Sequence, residues 1–542
     1  MNQELYLRES YPVRLNDDPY LLVVPTTAFI GLDEVGEAVV NFLASRPSAH
    51  PELIAAAIAD RFDPRTVAEA LSELMQLGVV GLIPNGNGAG EGKNGHGNGH
   101  GNSHGPNGGP HEESQNLVSD GGAARQFLTP GSTIEGWTVL GWHEPVRTDP
   151  FDSRNLPMTR LTCHVAMDCN LRCTYCYADT GPYGGPRDMM CEGTARDYVD
   201  LLLKSSGDTK DVNFTFFGGE PFMNWKVMRA TVLYGEQRAR EVGKHIHFGV
   251  TTNGTLLDEE KIDFVVDHRV QVTVSMDGPP EVQNRFRILT DGQGSYDLVM
   301  AKVKPLLERM RVACRVTLTR KTLEVQRIVD HLLGLGFADV GIGVVSSPDS
   351  LMNLGPQDLP KLLDEFKACA ARYVDAACKD SHYGFSNLTT ILTQIHEGAA
   401  KSFGCGAGVQ MFSGDPFGNL YSCHRLVGNA KYQVGTLQGG IDRDKQFDSL
   451  DNVHLKHKLD CQNCWARHLC GGGCFYQLEI HYDGDLQRAY TPFCDWIREW
   501  FTVGLRSYAQ IMTENPAFID RYVDPSVGGS KPLSVFERAP TL

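Results

Sequence analysis

Between residues 159 and 345 six apolar segments of strand length alternate with helix-length stretches, and this alternation restricts the fold more than any other feature of the chain. The segments are 159–165, 212–217, 246–251, 270–275, 313–319 and 340–345. Strands joined through helices run parallel, so an α/β fold is expected, with six strands making a partial (β/α)6 TIM barrel that stays open enough for a bulky substrate. The first four segments each end on a polar or ligand-bearing group: CNLRCTYC, GGEP at 218–221, TNGT at 252–255 and SMDG at 275–278. In a parallel barrel such ends share one rim, so loops far apart in sequence converge on one site.

Ten of the fifteen cysteines fall into two sparse patterns. One is Cys169-x3-Cys173-x2-Cys176; the other is Cys405, Cys423, Cys461-x2-Cys464-x5-Cys470-x3-Cys474 and Cys494. Three thiolates in one short loop hold three irons of a cubane and leave the fourth open, whereas a closed structural site uses a fourth ligand. A secreted disulfide framework is disfavoured by the length, the CxxC spacings and an opening, MNQELYLRESYPVR, without an apolar signal core. A cytoplasmic protein is expected. No stretch of about 18 uninterrupted apolar residues occurs, so no membrane partner is expected. A net charge of -16 argues against nucleic acid. Cys163, Cys191, Cys314, Cys369 and Cys378 read as small buried hydrophobes.

Each rim loop has a chemical use. Tyr175 offers a flat face beside the cysteines; Gly218 and Gly219 let the backbone approach a small charged group; Glu220 can hold an ammonium. Asn253, Ser275 and Asp277 are acceptors suited to a ribose, and Arg287 or Arg315 can meet a carboxylate. Turn chemistry explains any one of them alone, but their company with the cysteines favours binding.

From about Pro84 to Glu112 the sequence is mostly Gly, Asn and His, too poor in apolar side chains to offset its own ordering, and is read as a tether. Its His96, His100, His104 and His111 read as solvated. Before it, a strand at YLLVVP, helices opening at Asp33, after Pro51 and around Val67, and a closing VVGLI suggest a small winged-helix-like plan. The boundaries expected are 1–84 for this domain, 85–130 for the linker, 131–395 for the barrel, 396–498 for a cysteine-rich domain and 499–542 for a closing helix and tail.

With CNLRCTYC and GGEP in that order, the segment from Met158 to Val345 resembles the radical S-adenosylmethionine (SAM) enzymes. The resemblance implies a four-iron four-sulfur cluster on Cys169, Cys173 and Cys176 whose open iron chelates SAM. It also implies a 5'-deoxyadenosyl radical that removes hydrogen from an unactivated carbon. The C-terminal cysteines resemble a SPASM domain, which implies two auxiliary clusters: one on Cys461, Cys464, Cys470 and Cys494, the other on Cys405, Cys423 and Cys474. That makes three four-iron clusters in all, the last one short of a ligand. Zinc ribbons over Cys461 to Cys474 are the alternative. The N-terminal region is similar to the peptide-recognition element of pyrroloquinoline quinone biosynthesis (PqqD-like), in which a leader peptide adds a strand to a sheet edge.

Together these imply a maturase for a ribosomally made precursor peptide bound through its leader, served by a donor such as flavodoxin or ferredoxin. CYADTGPYGG and FFGGEPFMNW look most like the enzymes that form Cys thioether crosslinks, among them the maturases of Cys-rich peptides and of quinohemoprotein amine dehydrogenase. Carbon-carbon crosslinking or another oxidative radical SAM modification of the peptide is the alternative, and a non-catalytic iron-sulfur electron carrier the alternative of another class. In anaerobic sulfatase-maturing enzymes an Asp follows the second SPASM cysteine as the base; here that position is His424, the one candidate for a catalytic residue.

Overall fold

The structure, a computed structural model, describes residues 4–15, 18–24, 27–83, 133–134, 137–141, 156–347 and 351–523. The expected tether with its histidines, and the tail after residue 523, lie outside the described residues. The chain opens with β1 (Leu5–Leu7), β2 (Ser10–Leu15), β3 (Asp18–Val23) and β4 (Ala28–Gly31). Then come α1 (Glu34–Ala44), α2 (Pro51–Ala57), α3 (Pro64–Gln76) and β5 (Val80–Leu82).

These elements divide between two compact units. The first, residues 1–8 and 33–132, carries the three helices and the antiparallel pair of β1 with β5. Asp33 Oδ1 caps α1 by accepting from Gly36 N at 2.7 Å, and Asp63 Oδ1 caps α3 by accepting from Arg65 N at 2.9 Å. Val35, Val39, Leu43, Ile54, Val67, Leu71 and Leu74, spaced at the helical period, are buried. Past the end of α3, Gly78 takes a φ of 71°, the left-handed turn that lets β5 start.

The second unit is residues 9–32 and 133–542. The strand at YLLVVP groups here, apart from the three helices. It lies in an antiparallel sheet continued by β6 (Thr133–Ile134) and β7 (Trp137–Gly141), in the order β2-β3-β4-β7-β6. Val13, Tyr20, Leu22 and Phe29 belong to the same buried cluster as Trp496 and Trp500 near the C-terminus, and that shared core is the physical reason for the grouping.

The barrel consists of β8 (Arg160–Ala166), α4 (Glu192–Ser205), β9 (Asp211–Gly218), α5 (Trp225–Glu241), β10 (His245–Thr252) and α6 (Glu259–Asp267). It continues with β11 (Gln271–Ser275), α7 (Pro280–Phe286), α8 (Tyr296–Leu307), β12 (Ala313–Leu318), α9 (Val325–Gly334) and β13 (Asp339–Val344). All neighbouring strands from β8 to β13 pair in parallel and in sequence order, each close to its expected segment. Leu161, Cys163, Val165, Phe214, Phe216, Val274, Val316 and Ile342 enter the apolar core. The alternate residues, among them Thr162, His164, Thr215, Phe217, Arg315 and Gly341, therefore face the opposite, inner side.

After the barrel come α10 (Leu359–Cys378), α11 (Ser386–Glu397), β14 (Met411–Gly414), β15 (Asn419–Tyr421), β16 (Gln433–Thr436) and β17 (Gly440–Ile441). The helices α12 (Arg443–Val453), α13 (Arg467–Cys470), α14 (Phe475–His481), α15 (Cys494–Glu514) and α16 (Pro516–Tyr522) follow. β14 pairs in parallel with β8, Ser413 opposite Thr162, and β15 to β17 extend the sheet antiparallel to ten strands. At the other side of this region Tyr11 of β2 stacks on Trp465 with ring centroids 3.9 Å apart, and Arg467 forms an ion pair with Glu9.

Cys163, Cys314 and Cys369 are buried as expected, and Cys378 partly so. Cys191 is exposed instead: its Sγ accepts from Thr194 N at 3.4 Å as the N-cap of α4, a position that must face the open end of the helix. Among the described residues no helix is long and apolar enough to cross a membrane.

Candidate functional site

The loop carrying Cys169, Cys173 and Cys176 leaves the C-terminal end of β8 and is pinned from two sides. On one, Arg172 N donates to Ile288 O at 2.8 Å and Thr174 N to Phe286 O at 2.9 Å. On the other, Asn170 Nδ2 donates to Thr255 Oγ1 at 2.8 Å and Asn253 Nδ2 to Asn170 Oδ1 at 2.8 Å, tying this loop to TNGT after β10. Asn253 Nδ2 also lies 3.8 Å from Cys169 Sγ.

GGEP supports the loop from beneath. Gly219 N donates to Ala166 O at 2.8 Å and Glu220 N to Asp168 O at 2.9 Å. A Cβ on Gly218, whose φ is 125°, would collide with the Ala166 carbonyl oxygen, and one on Gly219 with that of Asp168. The close approach these glycines permit is to their own chain. Glu220, 0% exposed, accepts from Thr252 Oγ1 at 2.8 Å, Asn253 N at 2.7 Å and Phe222 N at 3.1 Å. Burial raises its pKa and these donors oppose the rise. Both its oxygens hold the TNGT loop in place.

Tyr175, Asp277 and Arg287 form a buried network on the same rim. The Tyr175 hydroxyl donates to Asp277 Oδ2 and accepts from Arg287 Nη1 at 2.9 Å, while Asp277 Oδ1 accepts from Thr317 N at 3.0 Å. Burial raises the Asp277 carboxyl against the lowering pull of Arg287, whose guanidinium is held charged by Tyr175, Cys173 and Asp277 around it. Ser275 ends β11 directly opposite Arg315 of β12. The Arg315 guanidinium lies over β13, where a Cβ on Gly343 would stand 2.7 Å from Nη2.

The C-terminal cysteines fall into two mutually repelling sets. Burial first, then Cys474 and Cys423, push the Cys405 thiol up to about 12; burial and Cys474 push Cys423 up to about 11. Burial first, then Cys470, with Cys494 and Cys464 adding to it, raise Cys461 to about 12. In the rim loop burial lifts Cys169 to about 12 and Cys173 to about 11. Burial and mutual repulsion keep these thiols protonated, so they would ionise only around a cationic core, a demand that iron would meet. Among the described residues no three Cys, His, Asp or Glu side chains close into a cage for one ion. A four-iron core takes one thiolate per iron and holds its thiolates apart, so the two requirements differ.

His424 stands inside the barrel wall, its ring 5.1 Å from Phe217. Burial, then the Arg425 and Arg315 guanidiniums, push it down to about 3, so its imidazole is neutral. Four residues here were not singled out in the sequence. The Arg425 guanidinium is sandwiched 5.1 Å from the Tyr177 ring and 5.2 Å from the Tyr476 ring, linking the stretch after Cys176 to the C-terminal region. His164 lies on the inner face of β8 within LTCHVAM, where a lone imidazole in an apolar alternation was its one visible signal.

Residues 165–332 match the family model described as Radical SAM superfamily. The cysteine-type anaerobic sulfatase-maturating enzyme of Clostridium perfringens is 25% identical over 64% of this chain and 95% of its own length. The radical SAM cyclopropyl synthase TigE of Paramaledivibacter caminithermalis is 21% identical over 61% of this chain and 70% of its own. Among solved structures, native anSMEcpe with bound AdoMet and Cp18Cys peptide matches with a TM-score of 0.57 and 21% identity, over 66% of this chain and 99% of that one. That likeness establishes a shared fold.

Proposed function

We propose that this chain is an enzyme of the radical SAM superfamily that holds a four-iron cluster and SAM and installs Cys thioether crosslinks in a ribosomally made precursor peptide; the match of residues 165–332 to the radical SAM model and the likeness to a sulfatase-maturating enzyme support the first part. The observation that carries the reading is the attachment of two further cysteine sets to the barrel's own sheet through the pairing of β14 with β8. An electron carrier without catalysis has no use for a rim lined by Asn253, Asp277 and Arg287. The curated relatives named above modify sulfatases or form cyclopropanes, and the solved relative holds a peptide.

In this reading Cys169, Cys173 and Cys176 hold the SAM-binding cluster. Cys461, Cys464, Cys470 and Cys494 hold one auxiliary cluster, and Cys405, Cys423 and Cys474 the other. When bound, the rim cluster and SAM supply a one-electron cleavage that yields a hydrogen-abstracting radical. Asn253 and Asn170 fix the cysteine loop against TNGT, and Glu220 fixes TNGT in turn. Tyr175, Asp277 and Arg287 present a rigid, charged wall on which polar parts of SAM would orient. The stacked Tyr177, Arg425 and Tyr476 bridge the stretch after Cys176 and the C-terminal region. A thioether would form as the peptide loses two hydrogens, one as an atom from carbon and the other from sulfur as a proton; the one electron left over would need an acceptor, which is the chemistry a cluster held by Cys405, Cys423 and Cys474 would supply. The N-terminal PqqD-like region would hold the leader, and a flavodoxin or ferredoxin would supply electrons.

The test is to incubate the reduced, reconstituted enzyme with SAM and the precursor peptide encoded beside its gene. A product lighter by two hydrogens whose substrate Cys resists alkylation supports the thioether; an alkylatable Cys with the same mass loss identifies the carbon-carbon alternative.

A further inference from the structure

Lys458 is 1% exposed, which is rare for a lysine. Its ammonium donates to Leu486 O and Arg488 O, both at 2.6 Å, and these neutral carbonyls take up the N–H groups without cancelling the charge. The stem runs through a passage that only glycine leaves open. A Cβ on Gly472, whose φ is 83°, would stand 2.6 Å from Lys458 Cδ and 2.8 Å from Cε. Gly472 is the middle residue of the Gly-Gly-Gly turn that joins Cys470 to Cys474, and so one C-terminal cysteine set to the other.

The backbone of Lys458 serves the same cysteines. Its carbonyl accepts from Cys461 N at 2.9 Å and closes the turn that delivers Cys461. Among the charges that act on the ammonium, Cys461 and Cys470 as thiolates come first, ahead of the carboxylates of Asp485 and Asp460. Other cations near this set are met by acids. Arg498 Nη1 lies 3.9 Å from Cys464 Sγ, but the same guanidinium is ion-paired with Asp495, and Arg467 is ion-paired with Glu9. Lys401, on which Cys470 and Cys405 act, also has Glu397 acting on it.

Burying an ammonium is costly unless negative charge repays it. Four thiolates around an iron core carry net negative charge, and one more electron deepens it, so a fixed cation alongside favours the reduced state. We propose that Lys458 is a positioning residue for charge, whose buried ammonium raises the reduction potential of the cluster held by Cys461, Cys464, Cys470 and Cys494. The role rests on the thioether reading with two auxiliary clusters. Within it, Lys458 stabilises the single electron of crosslink formation after that electron has left the Cys405, Cys423 and Cys474 set. One electron moves, the first holder is oxidised by one and the second reduced by one, and no proton is transferred.

The experiment is a potentiometric titration followed by electron paramagnetic resonance, at neutral pH, on full-length reconstituted wild type, Lys458→Met, Lys458→Gln and Lys458→Arg. Cys173→Ser and Cys405→Ser, each lacking one of the other clusters, identify the relevant reduction step as the one that persists in both. Expected in Lys458→Met and Lys458→Gln are a wild-type iron content and a reduction equilibrium for that step about tenfold less favourable, which for one electron is a potential lower by about 59 mV. The other two steps should stay in place, and Lys458→Arg, which keeps the charge, should stay near wild type. Lys458→Gln retains N–H donors for the two carbonyls and so separates charge from hydrogen bonding. A wild-type potential in Lys458→Gln overturns the proposal, as does an equal shift of all three steps. Should Lys458→Met lose iron, Lys458→Gln decides by the same step; loss of iron in both marks a purely structural lysine and also overturns it. Zinc in the C-terminal cysteines of the wild type, or fewer than three reducible steps, sinks the auxiliary-cluster reading itself, and this role with it.

Discussion

At the scale of single residues, the rim is held by groups that would pass for ligands on paper. Gly219→Ala places a Cβ against the Asp168 carbonyl oxygen and forces the cysteine loop outward. Its expected cost is about 1–3 kcal/mol, read as lost iron at the rim cluster and at least a tenfold fall in 5'-deoxyadenosine. Glu220→Gln turns an amide N–H toward a donor, either Asn253 N or the Thr252 hydroxyl together with Phe222 N. It should cost about 1–3 kcal/mol and raise the KM for SAM more than it lowers stability. Asp339 yields a stability prediction. Burial raises its carboxyl to about 6 from 3.8. An acid with a raised folded pKa binds more protons folded than unfolded between the two values, so stability falls as pH climbs through that window and is flat above it. Urea unfolding of wild type should show that decline, and Asp339→Asn should flatten it. The sequence made the cysteines, glycines and Asp277 legible as a site because their types and order are rare together. It could not show which way Glu220 faces, since an acceptor that binds backbone and one that binds ligand have the same letter.

At the scale of elements, the six parallel strands were readable because each carries two or three apolar residues at period two and is flanked by helical spacing. β14 to β17 were not, since runs of two to four residues such as MFSG and NLY fall below any periodic signal and acquire strand form only by pairing, β14 with β8 and each later strand with the one before it. The same holds for β2, whose Tyr11 finds its place through Trp465, more than 450 residues away in sequence. Tyr11→Ala combined with Arg467→Gln removes the stacked pair and the ion pair with Glu9. Limited proteolysis should then cut the first strands faster, by the equivalent of about 1 kcal/mol, while total iron stays unchanged. A parallel loss of iron would mean that this contact holds the Cys464 loop as well.

At the scale of the whole molecule, the three cysteine sets make separable predictions. A fully loaded chain should hold about twelve irons. Cys405→Ser should lower that to about eight and abolish the crosslinked product, yet leave SAM cleavage within about twofold of wild type, because the rim set is untouched. Cys173→Ser should abolish cleavage outright. Iron assay and 5'-deoxyadenosine quantification on the two variants side by side check both statements.

The join between β14 and β8 has a last consequence. Met411 to Gly414 and Arg160 to Cys163 are laced by ladder hydrogen bonds, so the cysteine-bearing C-terminal region cannot swing away from the barrel without tearing the sheet. The spacing between rim and distal sulfurs is therefore built in when the chain folds, and under the proposed reading electrons would cross a fixed gap with no redox arm to move.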